Sequence, residues 1–199
     1  MTEAGAPLLF LAALIGYLSG SVPYGLVFAK LFGLGDIRKI GSGNIGATNA
    51  LRTGNKKMAA ATLAGDVLKG TVPILVFLPF GLIAGAVAGF AAFCGHLFPV
   101  WLRFKGGKGV ATYLGVLLGF APSLVLVFAV FWLLVAWASR YSSLAALIAT
   151  LAVPLGAWIL GYEVAAILTA AMTVLVYLKH HGNIRRLIAG TEGRIGAKS

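Results

Sequence analysis

The sequence predicts an all-α integral membrane protein with seven transmembrane helices, its N-terminus outside and its C-terminus cytoplasmic. Three observations carry that expectation. The 199 residues are 60% hydrophobic and 11% charged, far from the roughly half apolar and quarter charged usage of soluble domains. The apolar residues fall in long runs separated by short polar segments. The basic residues gather in a few of those segments instead of spreading evenly.

Each run is measured against the roughly 20 apolar residues that cross about 30 Å of hydrocarbon. The first, near 7–29, lacks a basic n-region and a small-residue cleavage site, so it reads as a retained span. Runs near 58–79, 81–98, 142–160 and 162–178 meet or approach the same length. The stretch 109–138 would form a helix about 45 Å long, interrupted at Gly119, Ala121 and Pro122, and is one kinked helix or a pair.

Charge decides between them, because short cytoplasmic loops collect Lys and Arg. Apart from Lys69, the 16 basic residues lie in 30–57, 103–108, Arg140 and 179–198. They share one face only if 109–138 crosses twice, as 109–119 and 121–138. The outer turns at 79–82, 119–123 and 160–163 then carry no Lys or Arg, and the N-terminus carries only Glu3. The helix at 109–119 is short, about 16 Å. Trp101, Trp137, Tyr141, Trp158 and Tyr162 sit near span ends, where amphipathic rings form an interfacial belt. Residues 1–199 thus read as a single membrane domain with cytoplasmic loops 33–57 and 99–108 and a tail at 179–199.

A net charge of +11, concentrated beside apolar spans, points to anionic lipid or anionic substrates and not to nucleic acid. Cys94 is the single cysteine and has no thiolate partner for a disulfide or a metal. With no soluble domain, any chemistry falls to the loops.

The first loop reads Gly41-Ser42-Gly43-Asn44-Ile45-Gly46-Ala47-Thr48-Asn49-Ala50-Leu51-Arg52. Glycines let successive N–H groups converge on one anion. Ser42, Asn44, Thr48 and Asn49 add side-chain donors, and Arg52 adds a planar fork suited to phosphate. The second loop, Arg103-Phe104-Lys105-Gly106-Gly107-Lys108-Gly109-Val110-Ala111-Thr112, runs straight into an apolar helix, whose open N–H groups and dipole favour an anion. It is not a Walker A loop, since the Gly-x-x-x-x-Gly-Lys-Ser/Thr pattern is absent.

The third candidate follows the last span: Lys179-His180-His181-Gly182-Asn183-Ile184-Arg185-Arg186-Leu187-Ile188-Ala189-Gly190-Thr191-Glu192. His180 and Asn183 share a helix face. Two histidines without a nearby carboxylate or cysteine make a poor metal site, so hydrogen bonding to substrate is expected. Arg185 and Arg186 with Leu187 and Ile188 fit an amphipathic segment on anionic lipid. Inside the second span, Asp66 and Lys69 stand side by side as an ion pair or as a lining of the site. Ser19, Gly20, Ser21 and Gly25 fit close helix packing, and His96 fits a satisfied interfacial residue.

Taken together, Gly41-Ser42-Gly43-Asn44-x-Gly46-Ala47-Thr48-Asn49 with Arg52, Lys105-Gly106-Gly107-Lys108-Gly109-x-Ala111-Thr112, and His180-x-x-Asn183-Ile184-x-Arg186-Leu187 with Gly190-Thr191-Glu192 resemble the PlsY family of bacterial acyl-phosphate:glycerol-3-phosphate acyltransferases. The match also covers Asp66-x-x-Lys69-Gly70 and nearly the whole chain. The resemblance implies acyl transfer from a long-chain acyl phosphate to the sn-1 hydroxyl of glycerol-3-phosphate, giving lysophosphatidic acid and phosphate for phospholipid biosynthesis. It implies a multi-pass protein of the bacterial inner membrane, with the active site at the cytoplasmic face. No metal-ligand cluster stands in the sequence, so neither a metal nor a cofactor is expected.

On that reading Ser42, Arg52, Lys108, His180 and Asn183 are catalytic. Gly41, Gly43, Asn44, Gly46, Thr48, Asn49, Lys105, Gly106, Gly107, Gly109, Thr112, Arg186 and Glu192 bind substrate. Glycine-loop N–H groups, Ser42 and Lys108 stabilise the oxyanion and the leaving phosphate, while Arg52, Lys108, His180 and Asn183 hold glycerol-3-phosphate. The proton goes to a neutral His180 or to the substrate's own phosphate, the second being favoured. Two rivals fit less well. A transporter would show inverted repeats and anion sites at the midplane, and a CDP-alcohol phosphotransferase needs a cluster of aspartates where only Asp36 and Asp66 exist.

Overall fold

The computed structural model describes residues 5–196, so Glu3 and Lys198 lie outside the described residues, and every regular element is helical. The chain divides into two compact units, Met1–Phe120 and Ala121–Ser199. Unit 1 holds α1 (Ala6–Gly20), α2 (Tyr24–Leu31), α3 (Ala47–Ala50), α4 (Lys56–Phe77), α5 (Leu82–Leu97) and α6 (Val110–Phe120). Unit 2 holds α7 (Ser123–Ser139), α8 (Ser142–Ile159), α9 (Glu163–Lys179) and α10 (His181–Ile188).

Among the described residues, four stretches are long and apolar enough to cross a bilayer: Ala6–Leu31, Lys56–Phe80, Leu82–Leu102 and Ser142–Ile159. A fifth arises if α9 and α10, bent by 62° at their junction, count as one. α6 and α7 are apolar but shorter, at 11 and 17 residues. Apolar side chains on these helices stay bare, with Phe10 at 71%, Leu126 at 69% and Ile167 at 71% exposure. Hydrocarbon, not water, is the solvent that tolerates such a surface.

The first span is not the uninterrupted helix expected near 7–29. It breaks at 21–23, where Pro23 has no N–H to donate and disfavours helical backbone at Val22. The carbonyls opened by the break find side chains from elsewhere. Trp101 Nε1 donates to Ser21 O at 2.9 Å, and Lys69 Nζ donates to Val22 O at 2.8 Å. Trp101, expected as an interfacial belt ring, therefore also closes a backbone break.

Small residues let helix backbones touch. A Cβ on Gly16 or Gly20 of α1 would overlap the carbonyls of Ala88 and Ala92 on α5, and one on Gly95 would overlap Tyr17 O. These pairings run parallel, Gly16 to Ala88 and Gly20 to Ala92. α4 runs antiparallel to α5, with Ile74 at Gly89 and Asp66 at His96, and parallel to α6, with Val67 at Gly115. Successive apolar helices of unit 1 thus alternate in direction. Loops 1 and 2, which follow α2 and α5, leave from the same end of the unit. Gly25 is tight for a different reason from its neighbours: it lies against Ile45 O of the first loop, so α2 backs that loop directly.

Unit 2 has two distinct ends. At one, Ser123 Oγ meets the Tyr162 hydroxyl at 3.3 Å, joining two turns expected on the outer face. At the other, Arg140 exchanges hydrogen bonds with Ile195 at 2.7 and 3.2 Å, so the single basic residue of the α7–α8 turn lies with the tail.

Candidate active site

Loop 1 is organised by Asn49, which is 2% exposed. Its amide nitrogen donates to Ile37 O and Asn44 O, both at 2.8 Å, and its Oδ1 accepts from Ser42 N at 3.0 Å and Ser42 Oγ at 3.3 Å. One side chain thereby closes the loop and aims the Ser42 hydroxyl. Gly41 and Gly43 take left-handed backbone, φ 52° and 68°, which only glycine enters cheaply. A Cβ on Gly41 would lie 2.6 Å from Arg52 Cδ, so Arg52 lies across the same turn. Ser42, Thr48 and Arg52 are exposed at this loop, with Asn44 and Gly46 half-buried. Upstream, Asp36 is spent on Arg38, whose hydrogen bonds lower its carboxyl to about 2, so the loop's one acid is neutralised locally.

Loop 2 lies flush on the end of α5. Gly106 N donates to Leu97 O at 3.2 Å and Gly107 N donates to His96 O at 3.1 Å. These N–H groups satisfy the last carbonyls of α5, so the glycines here serve close approach. A Cβ on Gly106 would overlap His96 O, one on Gly107 the His96 ring, and one on Gly109 the Phe93 ring. Gly109 also needs φ 89°. Lys105 is exposed and Lys108 half-buried on this bed. Thr112 is fully buried, its carbonyl seated against Gly70 of α4, and its hydroxyl has no partner among the described residues.

Beneath loop 2, Asp66 and Lys69 pair at 2.7 Å with side chains only 2% and 1% exposed. Lys69 also caps the α1–α2 break, and Ser19 Oγ donates to its backbone carbonyl at 3.1 Å. The pair is therefore a packed ion pair within unit 1. His96 Nδ1 stands 3.6 Å from the same Asp66 oxygen, an electrostatic contact longer than a hydrogen bond.

In unit 2 the helix turns by 62° at His180, and α10 begins. His180 is 3% exposed and its Nδ1 lies 2.8 Å from Val176 O. A carbonyl only accepts, so Nδ1 carries a proton, and in the neutral form of the ring the lone pair belongs to Nε2. Asn183 Nδ2 donates to Glu192 Oε1, which also accepts from Ser143 Oγ at 2.7 Å. Arg186 Nε donates to Glu192 Oε2 at 2.7 Å. Glu192 thus organises Asn183 and Arg186 from both of its oxygens. Ser143 escaped the sequence reading, because an isolated serine in an apolar helix carries no signal of its own.

Burial alone would raise the Glu192 carboxyl, but hydrogen bonds from Ser143, Asn183 and Arg186, and the charge of Arg186, outweigh it and hold the carboxyl below its ordinary range. A lowered carboxyl contributes stability that is complete above its unfolded value of 4.5 and is lost as pH falls through the lower folded value. The melting temperature in detergent is expected to have no Glu192-dependent slope from pH 5 to about 8, then an acid limb below 4.5 that Glu192→Gln flattens. An acid limb of equal depth in the variant would contradict this role of Glu192.

Residues 10–190 match the family described as Glycerol-3-phosphate acyltransferase. The chain is 62% identical to the glycerol-3-phosphate acyltransferase of Agrobacterium fabrum over 98% of its own length and 96% of that protein. It is 61% identical to that of Brucella anthropi over 94% of this chain and 93% of that one. The crystal structure of PlsY (YgiH), an integral membrane glycerol 3-phosphate acyltransferase, in its glycerol 3-phosphate form superposes with a TM-score of 0.89 at 38% identity, covering 94% and 96% of the two chains. Its lysophosphatidic acid form gives 0.88 at 38% identity, covering 94% and 95%. With the family matched over residues 10–190, relatives about 60% identical over nearly the whole chain and a solved structure superposing over 94% of it, the chain belongs to the PlsY family of glycerol-3-phosphate acyltransferases.

Proposed function

We propose that this protein transfers a fatty acyl group from acyl phosphate to the sn-1 hydroxyl of glycerol-3-phosphate, releasing lysophosphatidic acid and inorganic phosphate. The reaction belongs to phospholipid biosynthesis at the cytoplasmic face of the bacterial inner membrane, in a chain that crosses seven times with its N-terminus outside. The observation that carries the reading is the pair of glycine-rich, cation-bearing loops at one end of unit 1, beside helices whose outer faces suit an acyl chain. Support comes also from the solved relative, which has a glycerol 3-phosphate form and a lysophosphatidic acid form, the acceptor and the product of this reaction.

The acceptor oxygen attacks the acyl carbon, the carbonyl oxygen takes up charge, and the C–O bond to phosphate breaks with its electrons leaving on phosphate. Ser42, held by Asn49, and Lys108 stabilise the oxyanion and the leaving group. Arg52, Lys108, His180 and Asn183 bind glycerol-3-phosphate, with Arg186 and Glu192 supporting Asn183. Activated phosphate is a good leaving group, so a serine acyl-enzyme brings no advantage. The hydroxyl proton passes to the substrate's phosphate or to His180 Nε2, which the Val176 contact leaves as the basic nitrogen.

The deciding experiment mixes purified protein with palmitoyl phosphate and glycerol-3-phosphate and follows both phosphate and lysophosphatidic acid. Product from acyl phosphate, and none from acyl-CoA or acyl carrier protein, supports the proposal. Product from a thioester alone refutes the donor assignment. His180→Ala separates the two proton routes. Residual activity without a pH break near 6–7 favours the substrate's phosphate, whereas complete loss favours His180 as the base.

A further inference from the structure

We infer that His96 is a positioning residue for the Lys108 loop, acting through an imidazole wedged between the buried Asp66–Lys69 pair and Gly107. The inference rests on the reading that Lys108 binds the phosphate of glycerol-3-phosphate, and adds the group that sets where Lys108 stands. His96 touches the loop twice. Its carbonyl accepts from Gly107 N at 3.1 Å, fixing the strand of the loop on the last turn of α5. Its ring edge fills the space a side chain at 107 would need: a Cβ there would overlap Nε2 and lie 2.8 Å from Cε1 and 3.1 Å from Cδ2.

The far edge of the ring faces Asp66, with Nδ1 at 3.6 Å from Oδ1. Asp66 is itself held by Lys69 at 2.7 Å, and Lys69 by Val22 O at 2.8 Å. The ring, 3% exposed as a residue, has a charged, anchored wall on one side and the loop on the other. Lys108 is the next residue after the one the ring supports, so a lost or tilted ring moves its ammonium relative to the first loop of the same unit.

Gly107 offers a specific test, because all three nearest neighbours of its missing Cβ belong to the His96 ring and its backbone is outside the left-handed region. Alanine at 107 meets the ring first, so the harm it does should shrink when the ring is removed. Steady-state kinetics on the full-length protein in detergent, with palmitoyl phosphate and glycerol-3-phosphate, reads the outcome.

His96→Ala is expected to raise KM for glycerol-3-phosphate about tenfold with kcat within about threefold, a split that mere loss of folded protein does not produce. His96→Gln, whose amide reaches the Nε2 position, restores most of the loss, and the shorter His96→Asn does not. Gly107→Ala raises KM about tenfold in the parent and less than about twofold further in the His96→Ala background, a non-additivity confined to touching residues.

Unchanged KM in His96→Ala, or equal harm from Gly107→Ala in both backgrounds, overturns the inference. Should His96→Ala not fold, Gly107→Ala in the parent decides alone, and an unchanged KM there overturns it. Unchanged kinetics in Lys108→Ala would refute the underlying reading. Impaired Lys108→Ala beside normal His96→Ala refutes only the role of His96.

Discussion

Arg52→Ala and Lys108→Ala are each expected to cut turnover at least about tenfold, a loss of about 1.4 kcal/mol of transition-state stabilisation, with no loss of folded protein. Arg52 is exposed and lies across Gly41 beside the hydroxyl-bearing turn, so its removal takes away a planar donor without opening a cavity. Lys108 sits half-buried beside glycines that lie close against the end of α5. Ser42→Ala belongs with them, since the Asn49 side chain keeps loop 1 closed through Ile37 O and Asn44 O whether or not the hydroxyl is present. Rates near those of the parent in all three variants, measured as phosphate release at saturating acyl phosphate, would refute the assignment.

Asp66→Ala should lower stability strongly. It strands a lysine whose side chain is 1% exposed, and breaking one partner of a buried pair typically costs about 3–5 kcal/mol. It also removes the anchored wall behind His96. Replacing both partners with apolar residues of similar size, as in Asp66→Leu with Lys69→Met, should recover part of the loss because no charge is left buried. The recovery is incomplete, since Val22 O then loses its Lys69 donor. Thermal melting in detergent checks both variants. A parent-like melting temperature for Asp66→Ala would show that the pair is solvated through a path the packing does not reveal.

Long apolar runs and the placement of Lys and Arg made the helical segments legible. The expected stretches 109–119 and 121–138 appear as Val110–Phe120 and Ser123–Ser139, divided where Pro122 cannot donate. The break within the first span was not legible, because a lone proline in an apolar run is compatible with a kinked continuous helix. Trp101 and Lys69, 80 and 47 residues away along the chain from their acceptors, supply side-chain donors to the broken form.

At the site, the residue types were legible and their division of labour was not. Glycines of loop 2 read as phosphate donors from composition, yet Gly106 and Gly107 spend their N–H groups on α5, and their smallness is what the fold uses. Asn49 read as one donor among several, but burial makes it the organiser of Ser42. Such differences depend on which backbone lies within about 3 Å, and a one-dimensional pattern carries no such distance.

The closure of the α1–α2 break has a consequence for how the chain is made. Ser21 and Val22 leave the ribosome early, but the two side chains that occupy their open carbonyls are residues 101 and 69. Until residues 69 and 101 are in place, the Ser21 and Val22 carbonyls lack the side-chain donors that cover them. Closure of the first segment is therefore a tertiary event, completed by α4 and by the turn that follows α5.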